Sequence, residues 1–322
     1  MVSKMAASRP TFMMIVNPFA GAEHAGKIWP KIEVQLKEQK VNYKAVMTKH
    51  PGHGVQLARN FALQHKLDQS WVVVAVGGDG TLHEVLNGLH QGGGDQIPLG
   101  YIPAGSGNDF ARGIKLPTQS MAALQQLLEV QSPTNLDVGV YKNRLDSHET
   151  LFTNNVGIGF DASVVHAAND GQKDHLKKYH LQSSAYVFSL IKAFLNQKGF
   201  QLSVETAQTK QRFSHAFLVT TTNIKYFGGG VPIMPIADLR DGKLDLVVVE
   251  QIGILRFVKL FVEMLTTGNH LNSTVVHHFR TSQLHLETDL PENGQVNGEN
   301  IQKQKFNLSF WVTQRPFWIA GP

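Results

Sequence analysis

Residues 71–81 read Trp-Val-Val-Val-Ala-Val-Gly-Gly-Asp-Gly-Thr, and few folds accept such a stretch. Six consecutive apolar residues fit a strand covered on both faces, as in a parallel sheet. The strand runs directly into three glycines around one carboxylate. From Thr81 a helix is expected, with Leu82, Val85, Leu86 and Leu89 on one face. Strand, glycine loop and helix make a phosphate-binding arrangement. Glycines let backbone N–H groups close round an anion, and the helix N-terminus adds partial positive charge. Asp79 is ill suited to touch a phosphate directly; it suits a group that organises a cation or accepts a proton. A tight βα turn with a solvated Asp is the plain alternative.

The flanking sequence repeats the same rhythm. Phe12–Val16 is a short apolar strand that ends in the turn-rich run Asn17-Pro18-Phe19-Ala20-Gly21, and a helix follows with Ile28, Ile32 and Leu36 on one face. Tyr43–Thr48 reads as the next strand, and Val55, Ala58, Phe61 and Ala62 mark the helix after it. Leu99–Ile102 is the fourth strand, and its loop Pro103-Ala104-Gly105-Ser106-Gly107 opens a short helix at Asn108. Alternating β and α predicts a doubly wound, mainly parallel sheet, whose ligands sit at the carboxyl ends of the strands, where all four loops fall.

From Leu136 the pattern changes. Strand-like runs dominate at 136–141, 150–156, 200–205, 213–221, 244–249, 275–279, 283–287 and 306–312, many bounded by Gly, Asn, Asp or Pro. Helical spacing returns only at 184–196 and 254–266. The expectation is an α/β domain over 1–135 and a mainly β sandwich over 136–322, with the last ~15 residues free to return to the first domain. The absence of cysteine excludes disulfides, thiolate nucleophiles and zinc–thiolate sites. Residues 1–10 lack the apolar core of a secretory signal. The formal charge of +5 allows attraction to nucleic acid or to phospholipid, and composition does not choose between them.

Together the loops resemble the diacylglycerol kinase catalytic domain family. Gly77-Gly78-Asp79-Gly80-Thr81 with Glu84, Asn87 and Gly88 is similar to its first signature, and Pro103 to Arg112 (Pro-Ala-Gly-Ser-Gly-Asn-Asp-Phe-Ala-Arg) to its second. Asn17-Pro18 with Gly21, Leu136-Asp137-Val138-Gly139, Phe227-Gly228-Gly229-Gly230 and Asp241-Gly242-Lys243-Leu244-Asp245 resemble further blocks in the family's order. The branch it looks like is that of the bacterial soluble lipid kinases, the diacylglycerol kinase B type. The first block also occurs in NAD kinases; the second does not usually.

The resemblance implies ATP and Mg²⁺, with a lipid acceptor at the membrane surface rather than nucleic acid. It also implies a cytoplasmic location and an option to form homodimers. It assigns nucleotide contacts to Asn17, Thr48, Gly77, Gly78, Asp79, Gly80, Thr81, Glu84 and Ser106, where Ser106 stands in place of a common Thr. Lys27 is a further candidate, with a solvated helix face as its alternative. A metal is implied at Asp241, with backbone oxygens of Asp238 and Lys243. Asp79, Asp109 and Asp137 are implied in an acidic network round metal, water and ATP, although Asp109 can equally cap its helix.

One motif departs from the pattern. The family usually carries Asp-Gly-Glu near the C-terminus, and this chain has Asn297-Gly298-Glu299. An amide is no base, so Asn297 can only position a group, which leaves Glu299 as the candidate proton acceptor. An Asn-Gly hairpin with Glu299 in solvent is the alternative. His83 replaces a commoner Asn and is expected on a helix surface. Lys173, His175, Lys177, Lys178 and His180, beside an apolar-faced stretch at 186–195, are a candidate membrane contact. The adjacent His277 and His278 have no metal spacing and read as structural. The reading is a lipid kinase acting most readily on diacylglycerol to give phosphatidic acid. Its rivals are an NAD kinase-like enzyme and a catalytically weak nucleotide- and lipid-binding regulator.

Overall fold

A computed structural model describes residues 9–68, 70–144, 148–170 and 193–320. The chain divides into two compact units. The first comprises residues 1–111, 115–135 and 315–322, and the second 112–114 and 136–314.

The first unit is a parallel sheet with helices. Strands β1 (Thr11–Val16), β2 (Tyr43–Met47), β3 (Trp71–Gly77) and β4 (Leu99–Pro103) lie in the order β2-β1-β3-β4, all parallel. Helices α1 (Ala20–Glu38), α2 (His53–His65), α3 (Asp79–Gln91), α4 (Asp109–Gly113) and α5 (Ser120–Glu129) alternate with them. Every residue of β3 is buried, as its unbroken apolar run requires. Met14, Val16, Trp29, Ile32, Val74, Ile102, Leu124 and Leu127 fill one core layer. Chain order reverses between β1 and β3, so the topological switch point lies beside Asn17 and the Gly77–Thr81 loop. Helix α3 begins at Asp79, two residues before the expected Thr81, because Gly78 in extended backbone already serves as its N-cap. Phe317 pairs in parallel with Leu99, and Trp318 Nε1 donates to Leu127 O at 3.1 Å.

The second unit is antiparallel. Strands β5 (Thr134–Asn143) and β6 (Glu149–Phe152) precede β7 (Asn155–Gly159) and helix α6 (Phe160–Asp170). Strands β8 (Phe200–Thr206), β9 (Lys210–Thr222) and β10 (Leu244–Glu250) lead to helix α7 (Ile254–Thr266). Strands β11 (Val276–Thr281), β12 (Gln283–Thr288), β13 (Glu292–Val296), β14 (Glu299–Gln304) and β15 (Asn307–Phe317) complete it. The long β9 pairs with β7, β8 and β10. Phe152, Ile158, Leu202, Val219, Leu246, Leu286 and Phe310 form the sandwich core.

Two expectations need correction. The run 150–156 is two strands, because the chain changes partners at Thr153–Asn154: β6 pairs with β5, and β7 with β9 and β13. The hairpin β13–β14 is absent from the expected strands, since Glu-Asn-Gly-Gln-Val carries no apolar alternation. The expected helix at 184–196 lies mostly outside the described residues, as does the basic run 173–180. Among the described residues no helix is long and apolar enough to cross a membrane.

Candidate active site

The two glycine signatures meet in the first unit. A Cβ added to Gly105 would overlap Gly78 Cα, so these backbones touch only because both residues lack side chains. Asn108, in left-handed backbone at φ +53°, fixes the second loop. Its Oδ1 accepts from Gly105 N at 3.0 Å and from the Tyr101 hydroxyl at 3.3 Å, while Nδ2 donates to Gly105 O at 3.0 Å. Asp79 binds the loops together. Its Oδ2 accepts from Asp109 N and its Oδ1 from Phe110 N, each at 3.0 Å. The carboxylate capping α4 is therefore Asp79, while Asp109 is the buried first residue of that helix. Burial, then the charges of Asp79 and Asp109, hold the Tyr101 phenol well above its ordinary range.

Other expected nucleotide contacts gather round the same switch point. Asn17 N donates to Val76 O at 2.9 Å, and Asn17 Nδ2 to Thr81 Oγ1 at 3.1 Å. Thr48 is buried just past β2, with its N–H on Val16 O at 2.8 Å. Ser106 is exposed on its loop, and Lys27 is exposed on α1. Glu84 grips Gly52 N at 2.7 Å and Gly54 N at 2.8 Å, so both its oxygens fasten α3 to the start of α2. His83 is not on a helix surface: it is 8% exposed, and Asn87 Nδ2 lies 3.1 Å from its Nδ1. Residue 83 lies on the face of α3 that it shares with Asn87 and His90, away from the α2 contacts of Glu84 and Gly88, and His90 Nδ1 on that face is 3.2 Å from Arg315 Nη2. Gly105→Ala is expected to force the two loops apart and destabilise the unit by ~1–3 kcal/mol. Thermal melting checks this, with Ser106→Ala, an exposed side chain on the same loop, leaving the melting temperature unchanged.

In the second unit Asp137 organises a loop. It is buried on β5, its N–H donates to Leu239 O at 2.7 Å, and its Oδ2 accepts from Gly242 N at 2.6 Å. Its Oδ1 accepts from Gln314 Nε2 at 3.2 Å, and its carbonyl accepts from Asn223 Nδ2 at 2.6 Å. Asp241 Oδ1 accepts from Lys243 N at 3.0 Å, and Oδ2 is paired with the Arg280 guanidinium through Nε at 2.9 Å and Nη2. Asp238 is exposed, with Oδ1 on Arg240 N at 3.1 Å. A resident dication on Asp241 would face the Arg280 charge directly. As arranged, these residues do not fit one. Among the described residues no three His, Asp or Glu side chains converge as a metal-holding group.

The altered motif forms a tight hairpin. Val296 pairs with Glu299 across Asn297 (φ +48°) and Gly298 (φ +85°), two left-handed residues as a type I′ turn requires. Asn297 is buried: Oδ1 accepts from Asn154 N at 3.0 Å and Asn155 N at 3.3 Å, and its own N–H donates to Asn155 O at 2.8 Å. Glu299 is exposed at the start of β14. His277 and His278 face Glu250 at 2.6 Å and Asp245 at 2.7 Å, ordinary cross-strand pairs.

A group that the sequence reading missed lies beneath this hairpin. Asp161, 2% exposed, accepts at Oδ2 from Asn155 Nδ2 at 3.1 Å and Gln295 Nε2 at 2.9 Å, while Oδ1 is buried without a partner. Gln295 Oε1 in turn accepts from Gly298 N at 2.9 Å. Burial pushes the Asp161 carboxyl up to about 6, against the hydrogen bonds it accepts from Gln295 and Asn155. The signal available was a lone acid in the uncharged stretch Asn155–Ala162, with Gly157 where a Cβ would overlap the carboxylate.

Comparison with known proteins follows the same two units. Residues 11–141 match the diacylglycerol kinase catalytic domain, and residues 154–310 match the YegS C-terminal NAD kinase beta sandwich-like domain. The pair defines a lipid kinase, a phosphotransferase with an alcohol group as acceptor. The protein named lipid kinase YtlR of Bacillus subtilis is 29% identical over 304 residues, 92% of this chain and 96% of its own. A diacylglycerol kinase of Mycobacterium tuberculosis is 27% identical over 85% of this chain and 84% of its own. A crystal structure of a diacylglycerol kinase from Bacillus anthracis str. Sterne shares the fold at TM-score 0.67, with 19% identity over 97% of each chain. The chain thus carries a diacylglycerol kinase catalytic domain followed by a YegS-type sandwich domain.

Proposed function

We propose that this enzyme transfers the γ-phosphate of ATP, entering as its Mg²⁺ complex, to a lipid hydroxyl, with diacylglycerol as acceptor and phosphatidic acid as product. The observation that carries the reading is the fastening of the second signature loop to the first by Asp79 at the switch point of a parallel sheet. Phosphoryl transfer needs positioning and charge neutralisation more than covalent help. Backbone N–H groups of Gly77–Thr81 and the side chains of Asn17, Thr48 and Ser106 bind the nucleotide. Asp79 and Asp109 hold the loops in register. Glu299 accepts the proton of the acceptor hydroxyl as its oxygen attacks the γ-phosphorus and ADP departs. Asn297 keeps the hairpin seated on Asn154 and Asn155, a task that needs only an acceptor oxygen, which an amide supplies as well as a carboxylate. The enzyme works in the cytoplasm, at a membrane surface.

Incubation with labelled ATP and a panel of diacylglycerol, monoacylglycerol, sphingoid base, ceramide, prenol and NAD tests this reading. Labelled phosphatidic acid is the expected product. Label in NADP alone overturns the reading in favour of an NAD kinase, and saturable ATP binding without phospholipid product does so in favour of a regulator. Asn297→Asp is expected to raise kcat about tenfold, because a second carboxylate makes Glu299 a stronger base. An unchanged kcat assigns proton transfer to Glu299 alone.

A further inference from the structure

Helix α7 carries more apolar surface than its packing uses. Phe257, Leu260, Phe261 and Met264 pack into a cluster with Phe160, Phe194, Phe217 and Met234. Leu255 is nevertheless 85% exposed, and Val258, Val262 and Leu265 are 51%, 51% and 49% exposed. At about 100° per residue these four side chains fall within an arc of roughly 80°. Arg256, Lys259, Glu263 and Thr266 occupy a separate arc on the other side of Leu255. The helix thus has a packed face, an exposed apolar stripe and a polar flank with more cation than anion. Lys259 reaches Glu263 at 3.8 Å and Arg256 donates to Thr274 Oγ1 at 3.0 Å, so both cations stand at the surface beside the stripe.

A helix of 13 residues is too short to span a bilayer, but apolar stripe and cationic flank together suit one lying in the headgroup plane. The patch amounts to roughly 400 Å², short of the ~800 Å² each partner commits to a standard protein interface. The chain's formal charge of +5 favours an anionic surface. We propose that α7 is the element on which this protein rests on a bilayer, with Leu255, Val258, Val262 and Leu265 entering the headgroup–acyl boundary and Arg256 and Lys259 meeting lipid phosphates. The proposal rests on the lipid-acceptor reading for its biological sense, but vesicle binding tests it independently of turnover.

The experiment compares the wild type with the combined variant Leu255→Ser, Val258→Ser, Val262→Ser. All three positions are solvent-exposed, and an unchanged melting temperature verifies the fold. In co-sedimentation with phosphatidylcholine–phosphatidylglycerol vesicles the variant is expected to bind at least about tenfold more weakly. Arg256→Gln with Lys259→Gln is expected to remove the preference over phosphatidylcholine alone. Turnover on long-chain diacylglycerol in vesicles should fall with binding, while turnover on a water-soluble short-chain diacylglycerol stays unchanged. Equal vesicle binding by variant and wild type overturns the proposal. So does a wild-type dimer that the variant converts to monomer with vesicle binding retained, which makes the stripe an interface between copies. Weakened vesicle binding with no turnover of wild type or variant on either acceptor supports α7 docking and instead removes diacylglycerol as the acceptor.

Discussion

Asp79→Ala is expected to lower turnover on the order of a thousandfold, with loss of stability confined to a few kcal/mol. Both carboxylate oxygens hold backbone N–H groups of the second signature loop. Removing them leaves two buried donors unpaired and frees Gly105 to drift from Gly78. Charge-assisted bonds of this kind contribute about 1.5–3 kcal/mol each. That is sufficient to misplace a phosphate cradle and insufficient to unfold the chain. Asp79→Asn separates geometry from charge, since one oxygen remains while the amide group opposes the second N–H. It should recover part of the stability and little of the turnover. Thermal melting beside a labelled-phosphate assay reads both quantities, and near-normal turnover in Asp79→Ala would reduce the residue to a helix cap.

Asp161→Asn is expected to flatten a pH dependence of stability that the wild type carries. The carboxyl binds its proton more tightly folded, at about 6, than its ordinary value of 3.8. Its protonation therefore stabilises the fold fully below 3.8, and that contribution is lost as pH rises through about 6. At about 1.4 kcal/mol per tenfold in proton affinity, the swing is about 3 kcal/mol. Above the window the wild type bears the cost of a buried anion whose Oδ1 has no partner. Denaturant melts of both proteins across the window isolate it, because every other titrating group cancels in the difference. A difference independent of pH would mean that the folded carboxyl titrates like an unfolded one.

Much of the first unit was legible from local pattern. An apolar run with no polar break admits one location for β3, between neighbours on both sides, and glycines directly after it mark the ligand end. Helix α7 was readable to the residue because its repeat is strong over the whole length of 13 residues. What local pattern missed depends on pairing at long range. The Asn-Gly turn at 297–298 was legible but its strands were not: β13 is polar and β14 exposed, so only docking against β7 makes them a strand pair. His83 looked like surface because a helix periodicity does not say how broad the covered face is; the covered face of α3 extends past the leucines to His83 and Asn87. Asp79 and Glu84 were legible as important, but their partners were not. Both turned out to hold amides from segments about thirty residues away, a distance no spacing rule spans. The Arg280 partner of Asp241, on a separate strand, was hidden for the same reason.

The seat of Asn297 also bears on how this protein ages. An Asn-Gly pair is the sequence most prone to deamidate, through attack of the glycine nitrogen on the side-chain amide. Here the Gly298 nitrogen is engaged on Gln295, and the Asn297 amide oxygen is held by two backbone N–H groups. The folded hairpin therefore shields the bond from its own chemistry, and each local opening exposes it. The product of that slow hydrolysis includes the aspartate that the family usually has at this place. Acid at position 297, read by mass in an ageing sample, becomes a record of how long the hairpin has spent open.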